Sequence, residues 1–240
     1  VNGFRSLYKN TESFYEDVFE FPAGHYAVVT DPDNIEFIPY WRPEFNPVAM
    51  TMDDAIEGAK QHLLRSMELR LRADVPIAFC LSGGVDSTTL AGISAKHFNQ
   101  ELHTFSVIDS DERYNETENI NKMVDHLACD HFYTKVSPDG FIDRMKRLVD
   151  YHDAPVPTIS YYVHSFLSEE ISKKGYSVVI SGTGADEIFS GYYDHYGYWL
   201  AQMAKSQAIE HLVDDWKASY GAWVNNPLLQ DPYCFHKNPN

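Results

Sequence analysis

Two short apolar runs, VPIAFC (Val75–Cys80) and YSVVI (Tyr176–Ile180), each break off into a loop of serine and glycine that opens a helical pattern. The first loop is Ser82-Gly83-Gly84-Val85-Asp86-Ser87. The second is Ser181-Gly182-Thr183-Gly184-Ala185-Asp186-Glu187. Parallel strands cannot be joined by a tight hairpin, so a strand that feeds a helix is the unit of a parallel sheet. LHTFSVI and HFYTKV read as two further strands, each bracketed by helical stretches. Strands alternating with helices dictate an α/β chain: a doubly wound parallel sheet with flanking helices on both faces. Its crossovers are right-handed, and ligands sit at strand carboxyl ends where the winding reverses. If the two strands that carry these loops are neighbours at that point, both loops face one crevice.

The helices follow from spacing and caps. Thr51 is an N-cap with Asp54 in the first turn, and Ile56, Ala59, Leu63, Met67 and Leu71 recur at helical period. A helix after the first loop is expected to run to about Phe98. The next opens at Asn115-x-x-Glu118, which resembles a capping box, and ends near Cys129. Another follows Pro138 to about Tyr151. DAPVPT must be a loop, because proline breaks a helix interior. The segment after it is helical up to Gly175, a natural residue just past a helix end. Residues 1–50 read differently, with FEFPAGHYAVV and NIEFIPYW as short strands around an Asp31–Asn34 turn, followed by the Pro-rich WRPEFNPVAM as linker.

The chain has 240 residues and a formal charge of −16, from 19 Lys and Arg against 35 Asp and Glu. Such a chain repels a phosphate backbone, which counts against nucleic acid as partner. Nothing near eighteen apolar residues occurs in a row, so no membrane helix is expected. Cys80, Cys129 and Cys234 are isolated and odd in number, as in a reduced, cytoplasmic protein without a disulfide framework. His126 and His131, near Asp125 and Asp130, fit no metal-ligand spacing and read as surface or packing residues.

Glycines let backbone N–H groups approach a polyanion, and the helix that follows adds its positive end. Ser82 and Ser87 can donate to phosphate oxygens. Asp86 would repel phosphate unless a hard cation such as Mg²⁺ lies between them. The loop lacks the Gly-Lys-Ser/Thr ending of a Walker A motif. A bare serine-capped turn is the bland reading, which the full SGGVDS after an apolar strand outweighs.

SGGVDS resembles the pyrophosphate loop of the N-type ATP pyrophosphatases, and SGTGADEIFSGY resembles the signature of the asparagine synthetase family. RLRADVPIAFCLSGGVDST, FPAGHYAVV and IPYW are similar to that family's segments as well. The resemblance implies an adenine nucleotide alpha hydrolase-like fold with ATP and Mg²⁺ as cofactors. It implies that Ser82, Gly83, Gly84, Val85, Asp86 and Ser87 cradle pyrophosphate. Asp86 and Asp186 would hold Mg²⁺. Leu81 and Val107 would flank adenine, and Ser181 and Gly182 would line the nucleotide and acyl pocket. The implied chemistry activates a carboxylate as acyl-AMP, releases pyrophosphate, and lets ammonia displace AMP. Residues 1–50 would then be the tail of an N-terminal glutaminase domain, with residues 51–240 the synthetase domain, in a protein that extends at both ends.

Three departures bear on the acceptor. Thr183 stands where asparagine-forming members carry Glu, so a residue at a catalytic position cannot act as base. Ser160, Tyr161 and Tyr162 stand in a stretch where an Arg is usual, which suits a bulkier acceptor such as a sugar acid unless the tyrosines belong to the core. The sequence does not open on the nucleophilic Cys of the family's glutaminase domain, in keeping with a parent protein that extends beyond it. Aspartate and other carboxylates both remain open as acceptor, as do oligomeric state and the role of Glu187. A different ATP pyrophosphatase and a nucleotide-binding module without catalysis are the competing functions.

Overall fold

The computed structural model describes residues 11–31, 34–108, 116–205, 208–224 and 229–237. Its centre is a four-stranded parallel sheet. The strands are β3 (Ile77–Cys80), β4 (His103–Ile108), β5 (Asp130–Lys135) and β6 (Val178–Ile180), in the spatial order β5-β4-β3-β6. The chain winds outward from β3 through β4 to β5, then returns to pair β6 with the other edge of β3. The winding therefore reverses between the two strands that carry the Gly-rich loops, as the strand pattern anticipates.

Period-2 alternation divides the strands between two cores. Phe79 and Leu81 pack with Met67 of α1 (Met52–Arg70), Ala91 of α2 (Val85–Lys96), and Ile120 and Leu127 of α3 (Thr117–Leu127). Ala78 and Phe105 pack on the other face with Ile171 of α5 (Ile159–Lys173), beside Cys80 and Phe132. α4 (Phe141–His152) lies against α5, where Arg144 holds Glu169 at 2.8 Å, donates to Ser165 and stacks over Phe166. Helices thus cover both faces. Cys80 and Cys129 are packing residues of these cores.

Two helix ends obey their local signals. Thr51 Oγ1 accepts the Asp54 N–H at 3.1 Å, and Gly175, at φ +87, stops α5 with its N–H on Ser172 O. Asn115 falls outside the described residues; α3 begins at Thr117 after Glu116. Ile56 does not join the core. The amino-terminal half of α1 overhangs the sheet, and burial begins farther along, at Met67.

The N-terminal strands are much shorter than the sequence suggests. β1 (His25–Tyr26) and β2 (Ile38–Pro39) pair antiparallel over two positions. Asn34 closes the expected turn on Asp31 O at 3.1 Å. Pro39 cannot donate to a ladder, which limits its extension. At the other end, α6 (Ala185–Phe189) leads into α7 (Tyr193–Met203), α8 (Glu210–Ala218), a 3-10 turn and α9 (Cys234–Lys237). Leu200, Ile209, Val213, Trp216 and Val224 form a separate helical core there. No described helix is long and apolar enough to cross a membrane.

A polar cluster marks the sheet's amino-terminal end. Thr104 Oγ1 donates to Asp130 O and lies 2.7 Å from His131 Nδ1. With the threonine proton used, Nδ1–H must be the donor to Thr104, which leaves His131 Nε2 a bare buried lone pair. Burial pushes the His131 pKa down to about 4.

Candidate nucleotide site

β3 and β6 end at the same height, with Phe79 paired to Ile180. Leu81 continues the sheet by donating to Phe105 O at 2.9 Å, and the Ser106 hydroxyl donates to Leu81 O. The first loop therefore leaves a rigid shelf. Inside it, Ser82 Oγ and Ser87 Oγ lie 2.8 Å apart, Ser82 N donates to Ser87 Oγ, and Gly84 N donates to Ser82 Oγ. Gly84 caps α2 without a side-chain bond, so the helix presents its first N–H groups to the cavity beside it.

The second loop packs directly on the first. A Cβ at Gly182 would lie 2.9 Å from both Asp86 Cβ and Ser87 N, so only glycine allows the approach. Gly184 adopts φ +96, which again calls for glycine. The Thr183 hydroxyl accepts from Ser181 Oγ at 3.1 Å. The two loops share a cavity of about 520 Å³. Leu81, Ser82, Gly84, Asp86, Ser87, Val107, Ser181, Gly182 and Thr183 all line it.

Three expected members stand elsewhere. Gly83 turns to α3, where its N–H is bonded to Glu116 Oε2 at 3.2 Å. Val85, the first residue of α2, is 75% exposed and contributes no lining. Asp186 sits on α6 against Gly191: its backbone O accepts the Gly191 N–H, and a Cβ there would strike the Asp186 carboxylate. Glu187 accepts from Tyr192 Oη at 2.6 Å, and that bond lowers its pKa. Tyr162 is a core residue that donates to Ser137 O. Neither it, Ser160 nor Tyr161 lines the cavity. Asp194 and His195 lie in the first turn of α7, with the His195 ring set edge-to-face against Tyr192.

The wall from α5 was not anticipated. Val163, His164, Leu167, Ser168 and Ile171 face the cavity at helical spacing. Glu116 also lines it. The periodicity of α5 was visible in the sequence, but which face meets the ligand depends on how α5 lies across β4 and β5.

Among the described residues no group of three or more His, Cys, Asp or Glu is placed to hold a metal. A Mg²⁺ ion suits such a sparse set, since it takes one or two carboxylates and completes its shell with phosphate oxygens and water. Asp86 fits that role. It lines the cavity in the first turn of α2 and no described Lys or Arg pairs with it.

A parallel sheet with two Gly-rich loops over one cavity at its winding reversal is the ligand-site arrangement of open α/β proteins. The profile of the family described as "Asparagine synthase" matches residues 58–231, and the chain belongs to that family. "Amidase chry2" of Gibberella zeae is 27% identical over 241 residues, covering 88% of this chain and 36% of that protein. A putative asparagine synthetase (glutamine-hydrolyzing) 2 of Methanocaldococcus jannaschii is 31% identical over 186 residues, covering 76% of this chain and 36% of its own length. The chain thus spans about a third of these curated relatives. Among solved structures, an NH3-dependent NAD synthetase from Campylobacter jejuni aligns with 76% of this chain and 91% of its own, at 13% identity and a TM-score of 0.36.

Proposed function

We propose that this chain is the synthetase portion of an ATP-dependent amide-forming enzyme. A carboxylate oxygen of the acceptor attacks the α-phosphorus of ATP. The bond to the bridging oxygen breaks, leaving pyrophosphate and an acyl adenylate. Ammonia then attacks the acyl carbon, and AMP departs. The observation that carries this reading is the close packing of Gly182 on Asp86 and Ser87, which joins both loops over one cavity.

The work of the protein in this scheme is positioning and charge neutralisation. Backbone amides and hydroxyls of Ser82 to Ser87 cradle the departing pyrophosphate. Leu81 and Val107 flank the base, while Ser181 and Gly182 hold the reacting centre. Mg²⁺, held by Asp86 and Asp186, would neutralise phosphate charge. Asp86 lines the cavity, and Asp186 would join it at such an ion only if its carboxylate left Gly191. A glutaminase domain of the same parent protein, to which residues 1–50 form the tail, would supply ammonia from glutamine.

The acceptor is a small carboxylate. Relatives named as asparagine synthetase and as amidase support an amide-directed chemistry. Thr183 favours one other than aspartate, because a hydroxyl at that position carries no charge near neutral pH. ATP–pyrophosphate exchange with Mg²⁺ tests the scheme, with aspartate set beside a panel of uronic acids and other carboxylates. Exchange that depends on an added acid, and that Asp86→Ala abolishes, is expected. Exchange with aspartate alone would restrict the enzyme to asparagine formation. Failure with every acid, while Mg-ATP still binds, would refute the chemistry.

A further inference from the structure

Every backbone N–H of the Ser82-Gly83-Gly84 turn already has an acceptor from the protein. Ser82 N donates to Ser87 Oγ at 3.0 Å, Gly84 N to Ser82 Oγ at 3.2 Å, and Gly83 N to Glu116 Oε2 at 3.2 Å. Two of these acceptors are hydroxyls within the loop, which can turn and donate to an arriving phosphate oxygen. The third differs in kind. Glu116 lies 33 residues along the chain, carries a carboxylate, and lines the same cavity. A carboxylate oxygen on a backbone N–H occupies the place that a phosphate oxygen takes in such a loop.

The contact is built rather than incidental. A Cβ on Gly83 would lie 2.8 Å from Asn119 Cβ and 3.1 Å from Glu116 Cβ, so the absence of a side chain at Gly83 is what admits the first turn of α3. The Glu116 carbonyl accepts the Ile120 N–H at 3.0 Å, which fixes the residue at the start of the helix. Its side chain is thereby aimed at the loop while the rest of α3 packs on the sheet through Ile120 and Leu127.

We propose that Glu116 is a built-in anion mimic: its carboxylate holds the Gly83 N–H in the empty site and is displaced when the pyrophosphoryl group of the nucleotide binds. This rests on the reading of Ser82–Ser87 as the pyrophosphate cradle. Displacement places like charges side by side, so the return of Glu116 to Gly83 favours release of pyrophosphate after the nucleotide is cleaved. The device sets a ceiling on affinity for the polyphosphate product without touching the base.

Calorimetric titration of the full chain with inorganic pyrophosphate and Mg²⁺ tests it, comparing the native protein with Glu116→Gln and Glu116→Ala, and with AMP as a ligand that lacks the pyrophosphoryl group. Both substitutions are expected to tighten pyrophosphate binding about fivefold, the factor that one unit charge at contact distance contributes in water. AMP affinity should not change. A residue that merely braces the loop would act in the opposite direction: Glu116→Ala would weaken pyrophosphate and Glu116→Gln would restore it, and that pattern, or equal affinity in all three proteins, overturns the proposal. Glu116→Gln keeps an acceptor for Gly83, so the comparison survives if the alanine variant folds poorly. Absence of pyrophosphate binding in all three would instead refute the cradle itself.

Discussion

The two Gly-rich loops look alike in sequence, yet the structure treats them differently. The first is followed by a full helix, α2, with Ser87, Ala91 and Ser94 buried. The amides of Ser82, Gly83 and Gly84 have acceptors within the protein, and Asp86 lines the cavity. The second is followed by α6, a helix of five residues with none buried. Its acid, Asp186, lies beside Gly191 rather than on the cavity. The first loop is thus preformed by its core, while the second meets it through Gly182 against Asp86 and Ser87. Similar residue patterns produce a rigid half and an adjustable half, and the difference lies in how much apolar surface the following helix buries.

That contrast can be broken by substitution. The largest effect is expected at Asp86, where alanine should lower ATP–pyrophosphate exchange at least ~100-fold, as removal of one transition-state contact typically does. Gly182→Ala comes next. Its Cβ would meet backbone and Cβ atoms that have little room to retreat, so the loops must part, and Mg-ATP affinity should fall about tenfold or more. Gly184→Ala makes the sharper comparison, because nothing lies within 4 Å of its Cβ and only the φ of +96 opposes it. It should cost about 1–2 kcal/mol in chemical denaturation and change affinity less than Gly182→Ala. Val85→Thr, at an exposed position inside the first motif, should shift stability by less than about 0.5 kcal/mol and leave exchange intact.

An effect of similar size to that of Gly184→Ala belongs to the opposite end of the sheet, away from both loops. The His131 pKa falls from 6.5 in the unfolded chain to about 4 in the folded one through burial. The unfolded chain therefore holds the extra proton between those values. Stability is complete above about pH 6.5 and declines as pH drops towards 4, by about 2 kcal/mol once the ~3 kcal/mol implied by the shift is reduced for a ring that solvent still screens. Denaturation midpoints measured across that window should show the slope, and His131→Gln should flatten it.

Much of this was legible in the residues. Apolar runs ending in glycine and serine gave the strands, and 3.6-residue spacing gave the helices between them. Adjacency of β3 and β6 was stated as a condition and the strand order fulfils it. The N-terminal strands are shorter than the pattern suggests, since alternating apolar residues form a sheet only where a layer covers them, and there Phe19, Val28 and Tyr40 are all about two-thirds exposed. Tyr162 could belong to a pocket or to the core until α5 was placed over the sheet. The parts that could not be read are those set by long-range packing. The α5 wall of the cavity depends on a crossover, and the Glu116–Gly83 bond joins residues that no local pattern links.

The pairing of Phe79 with Ile180 makes the ends of β3 and β6 into a ruler. One extra residue between Ile180 and Ser181 would push Gly182 along by about 3.3 Å, away from Asp86 and Ser87. An insertion in this chain is thus least tolerated in the few residues between sheet and loops. Added length is tolerated best in the exposed connections, away from the point where the two loops meet.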